Sequence, residues 1–487
     1  MIGLRIFWAL FLAGMVAHTF HRAWRWEHGE PLPDYMLLGD EPRTKETFVL
    51  LDAVALPWIL LAILILFAMT DGMNGIARFL SLSLDVMLVI SIYFLLLLLL
   101  LPVFRRYFSA RACATMWILP AFLFWQIHIL LQSVLVPVFV IYIPKHVLNT
   151  LFLVWGIGFA LVFAGRIIEH MLFRRKVMSV AYPVHNSEVS QLFEQELQQL
   201  EYYFPVELVI SPAVSAPLSM GTLKRNRVTV LPKREFSPQE LQLIFRHEIH
   251  HLQRGDVGTK IFFAFCQALC WFNPLMWIAT RKASDDLELS CDEIVLEDAN
   301  EETRRQYAEL LLSTAGQVGG FTTCLSAAAE TMRYRLKHIL TLRKRQTGTL
   351  LLSFTMFLCV MSYGTVAVST DRGSIAELIT AGSTATDITD VYYRSADSEN
   401  FREITAYDGD SLFSYLTSLE VERFSSANEY YDIDGQGLSV QIMQSHLIDI
   451  TIYDHVVQVF HFGSGGSIEY FYLRSDVDWE QIESYLH

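Results

Sequence analysis

At 487 residues, with a mean hydropathy of +0.33 and 53% apolar side chains, the chain has a membrane protein's composition and room for two to four domains. Its net charge of −14 is uneven: residues 371–487 hold 21 Asp and Glu against 5 Arg and no Lys, a net of −16, so the remainder is near neutral. This balance excludes a basic nucleic-acid-binding surface, and six cysteines without a CxxC pair exclude a thiol redox pair or a cysteine zinc ribbon.

Crossing the hydrocarbon core takes about 20 apolar residues. Six spans are predicted, at 2–20, 48–69, 76–103, 113–143, 148–169 and 349–369. In the first, Arg5 precedes an apolar run as in a signal peptide. His18, His21 and Arg22 follow without a small-residue cleavage site, so an uncleaved anchor is expected. Segment 113–143 contains Pro120 and Pro137 and is either one kinked span or a span plus a surface piece. Asp52 sits near a span end, where headgroups are within reach; Asp85 is deeper and stands as a candidate polar site. Gln126 and His128 are read as hydrogen-bonding groups between helices. Four basic clusters flank the spans: Arg22, Arg25, Arg43 and Lys45; Arg105, Arg106 and Arg111; Arg174, Arg175 and Lys176; Arg343, Lys344 and Arg345. With six crossings all four fall on one side, so the positive-inside rule puts residues 170–348 in the cytoplasm and both termini outside.

Past the third of these clusters, 187–204 reads as an amphipathic helix with Leu192, Phe193, Leu197, Leu200 and Tyr203 on one face. Strands are predicted at 206–210 and 227–231, on either side of the Pro/Ser/Gly-rich stretch 211–221. Ser237-Pro238 then supplies an N-cap and a first-turn proline for a helix carrying Arg246-His247-Glu248-Ile249-His250-His251. His247 and His251, four apart, project from one helix face and can share one metal ion. Glu248 lies beside them, suited to take a proton from a water that the metal acidifies. His250 points elsewhere and is read as structural. An apolar helix at 261–272, with Cys266 and Cys270 as packing residues, ends at the Asn273-Pro274 turn. The helix at 284–298 bears Asp285, Asp286, Glu288, Asp292 and Glu293, and helices at 301–315 and 330–345 lead to the last span. Catalytic zinc usually takes a third protein ligand; Glu288 is the candidate, with Asp292 on the same helix face as its shorter alternative. Arg246, Gln253, Arg254 and Asp256 make the motif helix too polar for the hydrocarbon core, which argues against an intramembrane protease. In the acidic terminal segment, strands at 439–443, 448–453, 456–462 and 468–473 and helices at 410–419 and 479–486 predict a small α+β domain.

Taken together, several runs resemble the BlaR/MecR-type antirepressor metallopeptidases, membrane zinc enzymes of the gluzincin kind, across about residues 76–369. They are the His-Glu-x-x-His run, Asp256, Trp271-Phe272-Asn273-Pro274-Leu275, Glu288-Leu289-Ser290-Cys291-Asp292, Pro217-Leu218-Ser219-Met220-Gly221 and Val228-Thr229-Val230-Leu231-Pro232. The resemblance implies one zinc ion held by His247, His251 and Glu288, with Glu248 as general base and Asp256 and Asp292 orienting the ligands. Strand residues Val228, Thr229, Val230 and Leu231 are expected to form a sheet edge on which an extended peptide substrate adds. The neighbouring Lys224, Arg225 and Arg227 either favour acidic substrates or contact lipid headgroups. The implied partners are the lipid bilayer and a peptide or protein substrate, a transcriptional repressor being the family's kind, with no direct nucleic-acid contact. Oligomeric state, a homodimer included, stays open. In the family's beta-lactam sensors the external domain acylates at a Ser-x-x-Lys serine. This chain has no lysine after Lys344 and cannot build that site. The counterpart nearest in position to those sensors' paired-arginine self-cleavage site is Arg333-Tyr334-Arg335.

The expected fold is a multipass α-helical membrane protein of the plasma membrane, with a cytoplasmic α+β zincin-like metallopeptidase domain and a small extracellular α+β domain. Its predicted divisions are an additional N-terminal hairpin (1–75), transmembrane helices (76–169), the peptidase (170–348), a transmembrane helix (349–369) and the acidic sensor or regulatory domain (370–487). Two other functions fit the same residues: a non-catalytic membrane receptor or scaffold, and a general membrane-protein quality-control peptidase.

Overall fold

The computed structural model describes residues 2–28, 56–120, 139–221, 225–314, 323–324, 329–340, 345–362, 366–398, 400–424, 435–462 and 467–486. The chain opens with helices α1 (Ile2–Glu27), α2 (Leu56–Tyr107) and α3 (Ala110–Met116), then strand β1 (Phe139–Tyr142) and the long helix α4 (Lys145–Ser179). The middle third runs β2 (Tyr182–Pro183), α5 (Ser187–Gln199), β3 (Val206–Ser211), β4 (Leu218–Met220), β5 (Arg227–Pro232), α6 (Pro238–Arg254), α7 (Asp256–Leu269), α8 (Pro274–Val295), α9 (Glu301–Ser313), β6 (Thr323–Cys324) and α10 (Ala329–Leu340). Helix α11 (Thr349–Met361) then leads into β7 (Val366–Ser374), β8 (Ile388–Arg394), β9 (Arg402–Glu403), α12 (Gly409–Ser418), β10 (Glu420–Phe424), β11 (Gly437–Met443), β12 (Leu447–Ile452), β13 (Val456–Phe462), β14 (Ser467–Leu473) and α13 (Trp479–Tyr485).

The apolar segments depart from the expected spans in three places. Where two spans are predicted at 48–69 and 76–103, α2 is one helix of 52 residues, about 78 Å at 1.5 Å per residue. No proline lies between Pro57 and Pro102, and Gly72 and Gly75 weaken a helix without removing a backbone donor. The predicted crossing at 113–143 begins in the seven-residue α3 and ends in strand β1; residues 121–138 lie outside the described ones, as do Asp52, Gln126 and His128. The last predicted span yields only the 13-residue α11 before the chain turns extended at Val366. The expectation at 148–169 falls within α4. Among the described residues, two helical stretches are long and apolar enough to cross a membrane, Val86–Tyr107 and His146–Ser179.

One apolar cluster joins the N-terminal helices to the middle of the chain: Phe20 of α1, Phe94 of α2 and Trp117 after α3 share it with Phe262 and Phe265 of α7, Met276 of α8 and Met356 of α11. Arg5 Nη2 donates to the carbonyls of Val360 (2.9 Å) and Met361 (3.0 Å), satisfying acceptors that the end of α11 leaves exposed. A second cluster, built from α5, α6, α9 and α10, forms the core around the motif helix.

The middle sheet has the order β2-β3-β5-β4-β6. Strand β5 pairs parallel with β3 on one side and antiparallel with β4 on the other. This corrects the expectation for Val228, Thr229, Val230 and Leu231: they lie in the central strand, whose backbone groups are already taken on both sides. The outer strands of this sheet are β2 and β6. Arg227 is likewise occupied, donating to the carbonyl of Leu252 at 3.0 Å and to the Tyr202 hydroxyl; Lys224 lies outside the described residues.

The terminal segment forms a sheet of order β1-β7-β10-β14-β13-β12-β11-β8-β9. Strands β11 to β14 are a consecutive antiparallel meander, with α12 and α13 burying Leu412, Leu416 and Ile482 against it. Its outermost strand on one side is β1, which comes from before α4 and pairs parallel with β7 (Phe139 opposite Val366).

Candidate metal centre

The motif helix α6 is fixed at both ends by its own sequence. Ser237 Oγ accepts from Glu240 N at 3.3 Å, and the Glu240 carboxylate accepts from Ser237 N at 2.7 Å, a reciprocal cap with Pro238 in the first turn. At the other end Gly255 adopts a left-handed φ of 65°, a conformation that costs glycine little. The chain turns sharply there, and the next residue, Asp256, comes back to the helix it has just left. Its Oδ2 lies 2.6 Å from His251 Nδ1.

His247, Glu248 and His251 are all fully buried. The two imidazoles meet edge to face with Nε2 atoms 3.1 Å apart. Glu288, from α8, brings Oε2 to 3.6 Å from each of those nitrogens. The three donor atoms lie within 4.8 Å of one another. Zinc–donor bonds of 2.0–2.2 Å in a tetrahedron separate neighbouring donors by about 3.3 Å, so two neutral nitrogens and one carboxylate at these spacings fit a zinc ion. Burial drives His247 down to about 4, leaving its ring neutral at physiological pH. Burial pushes the Glu288 carboxyl up, but Lys260 and His251 outweigh it and hold the group well below the usual carboxylate range. His247 and Glu288 are therefore in their metal-binding forms, whereas at His251 burial is outweighed by Cys291 and Glu288, which raise its ring well above the ordinary value, so a metal bound there displaces a proton.

Each imidazole is steered by the partner of its other nitrogen. His251 Nδ1 donates to Asp256. His247 Nδ1 lies 2.9 Å from the Tyr307 hydroxyl, which donates to Asp292 Oδ1 at 2.7 Å. Asp292 is in turn bound by Arg335, through Nη2 to Oδ1 (2.6 Å) and Nε to Oδ2 (2.7 Å). Asp292 thus faces the nitrogen of His247 turned away from His251, at 3.6 Å, so it is Glu288 that faces the shared Nε2 pair. Burial raises the Asp292 carboxyl and Arg335 more than reverses this, keeping it ionised. His250 is buried outside this set.

Three side chains at the site carry no signal in the motif. Tyr307 reads as a core aromatic on an amphipathic helix. Arg335, the nearest counterpart of a self-cleavage arginine, is fully buried against Asp292. Lys260 places Nζ 3.2 Å from Glu288 Oε1; its spacing of four from Asp256 on α7 was the available clue. Asp286, two residues before Glu288, accepts from Arg105 at the end of α2 (2.7 Å) and from Trp117 Nε1 (2.7 Å), anchoring α8 to the N-terminal helices.

Residues 138–339 match the family model described as BlaR1 peptidase M56. The "Regulatory protein BlaR1" of Bacillus licheniformis is 27% identical over 236 residues, covering 46% of this chain and 39% of the relative. The "Methicillin resistance mecR1 protein" of Staphylococcus aureus is 26% identical over 109 residues, 22% of this chain and 18% of the relative, and that of Staphylococcus epidermidis matches to the same extent. The chain therefore spans about two fifths or less of the length of these curated relatives.

Proposed function

We propose, from the match of residues 138–339 to the BlaR1 peptidase M56 family model, that the chain is a membrane-embedded zinc metalloendopeptidase that transmits a signal by proteolysis. The observation that carries this reading is the convergence of His247 Nε2, His251 Nε2 and Glu288 Oε2 in one buried spot beside Glu248 in the sequence. These three residues would hold the ion. Bound zinc supplies Lewis-acid polarisation of a peptide carbonyl and lowers the pKa of water from roughly 16 to about 7. Glu248 acts as general base, taking the water's proton and returning it to the leaving amine. Asp256 fixes the tautomer of His251, and the Tyr307–Asp292–Arg335 chain fixes that of His247, so both Nε2 lone pairs stay turned to the ion.

The peptidase segment faces the cytoplasm and the acidic domain lies outside. Two features support this sidedness. Arg105, Arg174 and Arg345, from three separate basic clusters, all contact the middle segment, at Asp286, Asn226 and Glu293. Helix α4, about 52 Å long at 1.5 Å per residue, begins beside the terminal sheet at β1 and ends packed on the middle sheet through Val177. The substrate is a cytoplasmic protein, a transcriptional repressor being the class that the family resemblance implies. Glu248→Gln should abolish cleavage while the purified chain keeps one zinc per molecule. Proteolysis that survives this substitution would sink the mechanism.

A further inference from the structure

Helix α7 touches two of the three metal-binding side chains from a single face. Asp256 and Lys260 stand four residues apart, one turn of helix. Asp256 holds His251 by Nδ1 at 2.6 Å, and Lys260 holds Glu288 by Oε1 at 3.2 Å. The two oxygens of Glu288 are thereby given different tasks. Oε1 is drawn to the ammonium group; Oε2 is left 3.6 Å from each imidazole Nε2, with Arg335 Nη1 at 3.5 Å. The Lys260 and Glu288 side chains are only 12% and 8% exposed, so water screens this pair weakly.

We infer that Lys260 is a positioning residue that keeps Glu288 to a single oxygen on the metal, reserving the fourth coordination place for water. This rests on the zinc-peptidase reading above. A carboxylate freed of Lys260 can close both oxygens on the ion and fill the place that the attacking water needs. The C-terminal half of α7 is bound to α4. Trp155 Nε1 donates to the carbonyl of Leu269 (2.8 Å), Arg166 Nε donates to Gln267 Oε1 (3.1 Å), and Phe159 and Phe163 meet Phe265 edge to face. Helix α7 therefore contacts both α4 and two of the metal-binding side chains.

The test uses the full chain in detergent, stripped of metal by a chelator and titrated with Co²⁺ alone, alongside zinc-loaded cleavage assays. Wild type should give the strong visible absorption of four-coordinate cobalt. Lys260→Met should weaken that band as coordination rises, and lower kcat about 10- to 100-fold with little change in KM. Lys260→Arg, which keeps a cation at the same place, should restore most of both; Lys260→Gln serves in place of the methionine variant if that one does not fold. An unchanged cobalt spectrum and kcat in Lys260→Met, with wild type binding cobalt and cleaving normally, overturns the positioning role alone. A wild-type chain that takes up no cobalt overturns the metal-site reading with it.

Discussion

The guanidinium of Arg335 grips the carboxylate of Asp292 with two parallel hydrogen bonds, Nη2 to Oδ1 at 2.6 Å and Nε to Oδ2 at 2.7 Å, with both side chains fully shielded from solvent. Such a pair contributes little by existing but costs a great deal when half of it is removed, because the surviving charge stays buried. Arg335→Met is expected to destabilise the middle segment by about 3–5 kcal/mol. A thermal midpoint within a degree of wild type would contradict this. The same burial means that the folded chain should not be cut between Arg333 and Arg335, which mass analysis of purified protein can check.

Tyr307→Phe separates bracing from bulk. The ring keeps its place in the core, while the hydroxyl between His247 Nδ1 and Asp292 is lost. Zinc affinity should fall about 10- to 100-fold, the usual cost of removing a group that orients a metal-binding histidine. Competition against a chelator of known affinity measures it directly, and an unchanged dissociation constant would remove Tyr307 from the site.

His338 makes stability depend on pH. Burial and the neighbouring Arg345 hold its ring down at about 4, against 6.5 when unfolded. Below pH 6.5 the unfolded chain takes up a proton that the folded one refuses, so stability is full above that value and declines as pH falls towards 4. One pKa unit is worth 1.36 kcal/mol, so this amounts to about 3 kcal/mol across the interval. His338→Gln should flatten the fall in thermal midpoint between pH 7 and pH 5. A parallel decline in both proteins would assign it to other groups.

Gly158 of α4 lies against Trp271, two residues before Asn273. A Cβ added there would land inside the indole of Trp271, whose Nε1 donates to the carbonyl of Trp155 at 3.3 Å. Gly158→Val should cost about 1–3 kcal/mol by overpacking, and should also reduce cleavage by shifting α4 against α7. Wild-type stability and activity in this variant would mean that the α4 contact is not transmitted.

The sequence by itself determined whatever depends on near neighbours. Four-residue spacing puts His247 and His251 on one face, Ser237-Pro238 caps their helix, and alternating apolar residues lay out the meander from β11 to β14. These are periodicities of one helix or strand, set by backbone geometry before any packing. Tertiary structure alone decided what depends on distant segments meeting. Tyr307, Arg335 and Lys260 arrive from three separate helices, and apart from the spacing of Lys260 from Asp256 nothing in their local sequence points to the metal site. Val228–Leu231 reads as a strand, but its central place follows from β3 and β4 pairing on either side, a choice made by the packing of the whole sheet. The predicted spans 48–69 and 76–103 are likewise each apolar enough to cross, and whether they fold back or continue as one helix is not set by hydropathy. Local chemistry fixes which groups are offered; only the assembled core fixes which of them meet.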